Sequence, residues 1–418
     1  MKFLICLLAM AAVHGQEFDL LLMGGRLIDP KNSIDAIRDV AVKDGKIAGI
    51  GLGIDPKRAK AVADVRGLVV SPGLIDLHVH VFNTTGMADA WAGDNSVSPD
   101  SFSFRSCTTT MVDAGSSGWR NFESFRQTVI DRVKTRVFAM INIAGLGMST
   151  NIVEQTDFDS AAVAKLALKH KDVVVGVKSA HYEKPDWLSV DSALAAGRAA
   201  NIPIMVDFGF FLPSRPYYEL VGNRLRPGDM STHCFRGPVP IVDEKGKLYS
   251  YLKRAKARGV KFDVGHGGGS FIFRNAVPAI EQGFYPDSIS TDLHSGSMNA
   301  AMMDMVNTMS KFLAMGMPLL DVMQASTWNP ANQIKHPELG HLSLGAVADI
   351  AVMRIDEGKF AYLDSNLGRY EGKQRMACEM TVRAGVVSWD WNGRVGTDYK
   401  LLGPEYGIRP VEFLTRPK

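Results

Sequence analysis

Two histidines separated by one residue are the first feature of this sequence that could support chemistry. They occur in Asp76-Leu77-His78-Val79-His80, where polar and apolar residues alternate as they do in a β-strand. His78 and His80 therefore point to the same side of the strand, with Asp76 behind them. Two imidazoles on one side provide half of a metal site, although a pair of hydrogen-bonded core histidines would give the same pattern.

Further residues that bind metal ions or transfer protons recur at the ends of later apolar segments. Lys178, Asp207, His233, His266 and Asp292 each stand near the C-terminal end of a strand-like segment. In a barrel of parallel strands these ends converge on the catalytic face. The sequence therefore predicts one site assembled from several distant segments.

The segments that must position these residues alternate between strand-like and helix-like patterns. Such alternation is typical of repeated βα units and a parallel sheet. The span from 74 to 294 plus a last helix approaches the roughly 250 residues of a (β/α)8 barrel. Eight candidate strands are predicted, at 74–80, 108–114, 136–143, 173–178, 202–208, 229–234, 262–266 and 288–294.

Short β-like segments mark both ends of the chain. Near the N-terminus, Lys43-Asp44-Gly45-Lys46 is a hairpin-turn signal between two of them. We therefore predict an α/β protein: a TIM barrel, (β/α)8, over 71–340, with a small β-sandwich domain built from 16–70 and 341–418.

The first fifteen residues resemble a cleaved secretory signal. Met1-Lys2 is followed by an apolar stretch over 3–13, too short to span a bilayer, and then by Val13-His14-Gly15. A buried N-terminal strand or helix is the alternative. We expect residues 1–15 to be a signal peptide, and the mature protein to be secreted or periplasmic without stable membrane insertion.

Composition and cysteine content exclude several classes of protein. The 418 residues are 46% hydrophobic and 22% charged, which argues against a disordered, collagenous or coiled-coil chain. A net charge of +3 gives no reason to expect a nucleic-acid partner. The widely separated cysteines show no disulfide-scaffold spacing, so disulfides are not expected to be the framework.

The ordered set of motifs resembles the metal-dependent amidohydrolase superfamily. The matching features are the segment 71–80, Lys178, His233 and Asp292, and the resemblance covers nearly all of the mature chain. More narrowly, the segments 110–115, 226–234 and 262–271 are similar to the deacetylase branch close to D-aminoacylases and dihydroorotases.

The resemblance implies a binuclear metal centre with a carboxylated lysine. It places His78, His80 and Asp292 on one divalent ion and His233 on the other, with a carbamate on Lys178 bridging the two. The expected metal is zinc, with manganese as the alternative. The nucleophile implied is a metal-bridging hydroxide, with Asp292 as the general base.

Asp207 departs from the family pattern, in which the fifth strand usually ends in a histidine that binds the second metal. Three outcomes stay open: Asp207 replaces the imidazole, His181 reaches in from the next loop, or the second site is weak. We take direct replacement by Asp207 as the working hypothesis.

The function predicted is an exported hydrolase of amide or ester bonds, most like an N-acyl or O-acetyl deacetylase. The alternatives are a cyclic-amide hydrolase of the dihydroorotase or hydantoinase kind, and a barrel that binds metal or a small ligand without turnover. The substrate is expected to be a small acylated molecule, contacted by His266 and by Arg236, whose guanidinium suits a carboxylate. A homo-oligomer is what the family leads us to expect.

Overall fold

The computed structural model describes residues 16–82, 96–148, 157–208 and 211–407. The predicted signal peptide, residues 1–15, lies outside the described residues. None of the helices in the described ranges is long and apolar enough to cross a bilayer.

The two ends of the chain meet in one mainly antiparallel sheet. Within the described residues its strands follow the order β15-β14-β13-β5-β1-β2-β3, with β4 parallel to β1. The bounds are β1 (Phe18–Asp29), β2 (Ile34–Lys43), β3 (Lys46–Gly51), β4 (Ala59–Asp64), β5 (Val69–Pro72), β13 (Ile350–Leu363), β14 (Arg369–Arg383) and β15 (Val386–Asp390). The predicted packing of this sheet as a two-layered sandwich, with domain limits at 70 and 341, stays a prediction.

The predicted hairpin turn joins β2 to β3. Lys43 pairs with Lys46, and both residues between them have positive φ, 49° at Asp44 and 73° at Gly45. A two-residue turn of this kind matches the right-handed twist of its strands, and Asp-Gly tolerates the left-handed backbone that it requires.

The middle of the chain forms a parallel sheet whose strands lie side by side in chain order. In the described part of the chain these are β6 (Leu74–Val79), β7 (Thr108–Gly118), β8 (Arg136–Asn142), β9 (Val174–Ser179), β10 (Ile204–Val206), β11 (Met230–Ser231) and β12 (Lys261–Phe262).

An extended segment connects the two edges of this sheet. Ser288 forms a parallel bridge with Asp263, just after β12, and Leu293 forms one with Val79 of β6. Segment 288–293 thus occupies the place of the predicted eighth strand, and the arrangement fits a (β/α)8 barrel.

Several strands are shorter than the sequence predicts. β10, β11 and β12 have two or three residues each, and 288–294 forms isolated bridges only. The reason is that the chain leaves the extended conformation where the polar residues begin: φ is +55° at His233 and +49° at Asp292. The hydrogen-bonded ladder therefore ends before the residues that face the cavity.

Helices connect the parallel strands, as predicted for segments 160–170 and 190–200. Those described are α1 (Phe122–Phe125), α2 (Ser160–Lys169), α3 (Leu188–Ala199), α4 (Tyr217–Glu219), α5 (Ser250–Ala257), α6 (Phe273–Glu281), α7 (Ser295–Met298), α8 (Met305–Ala314), α9 (Leu319–Ser326) and α10 (Trp328–Gln333). Asp159 caps α2 by accepting hydrogen bonds from the amides of Ala161 and Ala162.

One disulfide joins the parallel sheet to the end sheet, in contrast to the expectation from cysteine spacing. Cys107 precedes β7, Cys378 lies in β14, and their Cα atoms are 5.5 Å apart. The two cysteines are 271 residues apart in sequence, so only the docking of β14 beside the turn before β7 brings them together. Thr381 of β14 donates a hydrogen bond to the carbonyl of Phe104 in that turn, at 2.6 Å.

Candidate metal centre

A cavity of about 460 Å³ lies at the C-terminal ends of the parallel strands. It brings together all six residues predicted to bind metal, together with the predicted substrate residue Arg236. Its wall is formed by His78, His80, Met148, Lys178, His181, Asp207, His233, Arg236, Gly268, Gly269, Ser270, Asp292 and His294.

His78 in β6 and His80 directly after it approach the same carboxylate oxygen. The Nε2 atoms of His78 and His80 lie 3.5 and 3.2 Å from Oδ1 of Asp292. Nδ1 of His80 lies 2.9 Å from the hydroxyl of Ser116. Both rings therefore direct Nε2 into the site and use Nδ1 for the surrounding protein, which is the usual arrangement of metal-binding histidines.

The tautomer of His78 follows from its neighbours. Thr232 donates its hydroxyl proton to Asp263 at 2.7 Å, so its oxygen accepts a hydrogen bond from Nδ1 of His78 at 2.9 Å. Burial, reinforced by Lys178, lowers the pKa of His78 to about 3. The ring is therefore neutral near pH 7, with the Nε2 lone pair facing the cavity.

His233 follows β11 and is held in the same way. Its Nδ1 donates to the carbonyl of Gly265 at 2.6 Å, because a carbonyl can only accept. Its Nε2 lies 3.3 Å from Oδ2 of Asp207. Burial alone would lower the pKa of His233, but the Asp207 carboxylate outweighs burial and raises it.

Lys178, the second-last residue of β9, is buried, with a relative exposure of 1%. Its Nζ lies 3.1 Å from Nε2 of His78, and burial lowers the pKa of the amine. Gly115 makes room for it, since a Cβ at that glycine would lie 2.7 Å from Cβ of Lys178. The prediction that Lys178 faces the site, rather than solvent, agrees with this position.

Asp292 is placed by two close backbone contacts. Asp76 accepts hydrogen bonds from the amide and hydroxyl of Thr291, at 3.0 and 2.5 Å, and so ties this segment to β6. A Cβ on Gly267 would lie 2.2 Å from Oδ2 of Asp292, so only glycine fits there. Burial alone would raise the pKa of Asp292, but the neighbouring His78 and a hydrogen bond from His80 lower it below its usual value.

The donor set fits divalent metal ions of the zinc type. Ligands about 2.0–2.1 Å from a tetrahedral ion lie about 3.3 Å from one another. The distances from Asp292 to His78 and His80, and from Asp207 to His233, are 3.2 to 3.5 Å. One atom each from His78, His233 and Asp292 also lies within 4.8 Å of the others. Metal ions between these nitrogen and oxygen atoms would remove the repulsion between their lone pairs.

Asp207 lies in the cavity with His181 and Arg236 as neighbours. Its Oδ2 is 2.9 Å from Nε2 of His181, and its Oδ1 is 3.8 Å from Nη1 of Arg236. Burial would raise the pKa of Asp207, but His233 and His181 hold it well below its usual value. Asp207 and His181 both line the cavity, and which of the three outcomes holds for the second metal stays a prediction.

His266 lies behind the cavity wall, so the structure does not bring it to the cavity with the other predicted site residues. Its exposure is 0%, and its ring stacks on Phe271 with centroids 4.7 Å apart. Nδ1 donates to the carbonyl of Gly267 at 2.9 Å, and Nε2 lies 2.6 Å from Nζ of Lys311. The loop after it, Gly268 to Ser270, lines the cavity in its place.

Comparison with known proteins gives the family. The model of the amidohydrolase family matches residues 273–395. A deacetylase from Brucella anthropi is 35% identical over 345 residues, which make up 79% of this chain and 83% of that protein. The chain belongs to the amidohydrolase family. Membership of this family, together with relatives named deacetylases, shows that this amidohydrolase is a metal-dependent hydrolase, as the sequence predicts.

Solved structures of the family support the fold of this amidohydrolase. A crystal structure described as an adenine deaminase superposes with a TM-score of 0.80 at 28% identity, covering 89% of this chain and 100% of that one. A crystal structure described as a dihydroorotase gives a TM-score of 0.77 at 30% identity, covering 88% and 98%. The activities named for these relatives differ, so the family does not define the substrate.

Proposed function

We propose that this amidohydrolase is an exported deacetylase that hydrolyses the acyl amide or ester of a small molecule with two divalent metal ions. The observation that carries the proposal is the convergence of His78 and His80 on the Asp292 carboxylate at the wall of a cavity, with Nζ of Lys178 3.1 Å from His78. A volume of about 460 Å³ lies in the usual range for sites that bind small molecules.

The metal ions are assigned to two groups of side chains. His78, His80 and Asp292 would hold one ion, Asp207 and His233 would hold the other, and Lys178, once carboxylated, would supply a ligand to the centre. When bound, the ions acidify water and polarise the acyl carbonyl. Zinc suits the imidazole ligands, while the additional carboxylate of Asp207 also favours manganese.

Carboxylation of Lys178 follows from its surroundings. An ammonium group buried beside two metal ions would repel both, whereas the carbamate that forms from the amine and carbon dioxide, with loss of a proton, is an anion. Its oxygens would reach the centre from a side chain that ends only 3.1 Å from Nε2 of His78.

Asp292 is assigned the proton transfers. Its carboxylate is ionised at neutral pH because the surrounding imidazoles lower its pKa. It takes a proton from the attacking water and then donates that proton to the leaving amine or alcohol. Arg236 stands at the same wall, with 30% of its side chain exposed, where it would pair with a carboxylate on the substrate.

Hydrolysis of a cyclic amide is the second candidate, favoured by the likeness to the structure described as a dihydroorotase. A panel of N-acetyl amino acids, acetyl hydroxy acids, dihydroorotate and hydantoin separates the two. We expect turnover of acetylated acids by the protein purified with metal and bicarbonate, and loss of turnover after chelation. Turnover of the cyclic amides alone would replace the deacetylase assignment by the alternative.

Export is proposed from the first fifteen residues and is supported by the Cys107–Cys378 disulfide. Disulfides persist in oxidising compartments and are rare in cytosolic proteins. N-terminal sequencing of the protein from its native host is expected to begin near Gln16. A mature chain that still begins at Met1 would contradict export by a cleaved signal.

A further inference from the structure

His181 is a cavity residue to which the assigned chemistry gives no role. It follows β9, three residues after Lys178, and 35% of its side chain is exposed to the cavity. Its Nε2 lies 2.9 Å from Oδ2 of Asp207. The other carboxylate oxygen, Oδ1, faces Arg236 at 3.8 Å. His181 and Arg236 therefore approach different oxygens of the Asp207 carboxylate.

The same oxygen of Asp207 faces a second imidazole. Nε2 of His233 is 3.3 Å away, and its Nδ1 already donates to the carbonyl of Gly265. In the neutral ring, Nε2 then carries a lone pair directed at a carboxylate oxygen. Two such acceptors repel each other unless a proton or a metal ion lies between them. Nε2 of His181 and Nε2 of His233 thus both approach Oδ2 of Asp207, at 2.9 and 3.3 Å.

His181 has the same left-handed backbone conformation as two of the assigned ligands. Its φ is +57°, close to the +55° of His233 and the +49° of Asp292. This left-handed conformation is uncommon for residues other than glycine and is concentrated at functional sites. All three residues face the same cavity.

We propose that His181 is a ligand of the second metal ion, which it holds together with Asp207, His233 and the carboxylated Lys178. The inference rests on the proposed binuclear function. It means that the site keeps two imidazoles although position 207 contributes a carboxylate. Nitrogen ligands of this number suit zinc better than a site of carboxylates alone.

The test is a zinc titration of metal-free protein in bicarbonate buffer, followed by elemental analysis. We expect wild type to bind about two equivalents. His181→Ala is expected to retain the first with unchanged affinity and to bind the second at least about 100-fold more weakly. His294→Ala removes another histidine from the same cavity wall and is expected to bind both equivalents like wild type. Thermal unfolding of each metal-free variant checks that it is folded.

Two further variants separate a ligand from a residue that only orients Asp207. His181→Gln keeps a hydrogen-bond donor toward the carboxylate but is a poor ligand for zinc, so we expect it to behave like His181→Ala. Adding Asp207→His to His181→Ala returns an imidazole to the site, and we expect the second equivalent to bind tightly again. Recovery in His181→Gln alone would overturn the assignment.

Failure of this inference differs from failure of the proposed function. If His181→Ala binds both equivalents with wild-type affinity while wild type hydrolyses acyl substrates, His181 is not a ligand and the deacetylase proposal stands. If wild type binds no zinc and hydrolyses none of the panel, both proposals are wrong.

Discussion

Asp292 is the side chain on which the proposed chemistry depends most. Its Oδ1 lies 3.2 Å from His80 and 3.5 Å from His78, so it contacts the centre directly. Asp292→Asn keeps the shape of the side chain but removes its ability to accept a proton. General acid–base catalysis contributes about 10²- to 10⁴-fold to the rate. We therefore expect kcat for an acetylated substrate to fall by at least about 100-fold.

The control for Asp292→Asn is its metal content and thermal unfolding, both measured on the purified variant. A folded variant that retains metal and still turns over at the wild-type rate would show that another group moves the proton.

Arg236 is expected to select acidic substrates. A charge-assisted hydrogen bond contributes about 1.5–3 kcal/mol, so Arg236→Gln should raise KM for an acetylated acid by about 10- to 100-fold with little change in kcat. Steady-state kinetics on the same acyl compound with its carboxylate amidated provide the control. An equal rise in KM for the acid and its amide would mean that Arg236 does not recognise the carboxylate.

Residue type and position at the strand ends predicted most of the side chains that meet in the candidate metal centre. His78, His80, Lys178 and Asp292 meet because parallel strands bring their C-terminal ends together. His266 also ends a segment of this kind, yet its ring turns into the core and contacts Lys311. That direction is set by left-handed backbone at Gly265 and Gly267, with φ of 47° and 52°, which no periodic pattern reveals.

Among the elements, α8 is joined to the loop behind the cavity by a buried lysine. Nζ of Lys311 donates to the carbonyls of Ala301 and Leu363, at 2.6 and 2.8 Å, and contacts His266. Lys311→Met preserves the length of the side chain but leaves these acceptors unpaired. At about 1–3 kcal/mol for each buried unsatisfied group, we expect a lower free energy of unfolding, measured by denaturant titration.

A matched control for Lys311→Met is Lys335→Met. Lys335 also donates to a carbonyl, that of Asn201 at 2.7 Å, but it lies at the exposed surface. We expect its loss to change the free energy of unfolding by less than about 0.5 kcal/mol. Equal effects of the two substitutions would contradict the structural role given to Lys311.

The order of elements could be predicted better than their lengths. The alternation of strand-like and helix-like segments predicts β6 to β12 in chain order, and the Asp44-Gly45 turn predicts the β2–β3 hairpin. The later strands are shorter than predicted because the pattern of apolar residues does not show where the backbone stops forming sheet hydrogen bonds. β10 accordingly ends at Val206, directly before Asp207.

For the whole molecule, the Cys107–Cys378 disulfide is a covalent cross-link between the end sheet and the turn that precedes β7 of the parallel sheet. Removing a disulfide that closes a long loop costs about 2–5 kcal/mol. We therefore expect Cys378→Ser to unfold at a lower temperature than wild type in the absence of reductant. Reductant should lower the midpoint of wild type toward that of the variant and leave the variant unchanged. A wild-type midpoint that equals the variant's without reductant would contradict the link.

The link could not be predicted, because Cys107 and Cys378 come from opposite parts of the sequence. Their distance depends on how β14 packs beside the turn before β7, a tertiary contact without a local signal. It could be predicted that both chain ends meet in one sheet, because short β-like segments occur at both ends, on either side of the barrel segment.

The most direct test of a binuclear hydrolase is the metal content of the mature protein, purified with bicarbonate and assayed by elemental analysis. Two groups of ligands around Lys178 predict about two equivalents of zinc or manganese per chain. One equivalent would contradict the two-metal centre, and none would contradict the assignment of His78, His80, His233 and Asp292 as metal ligands.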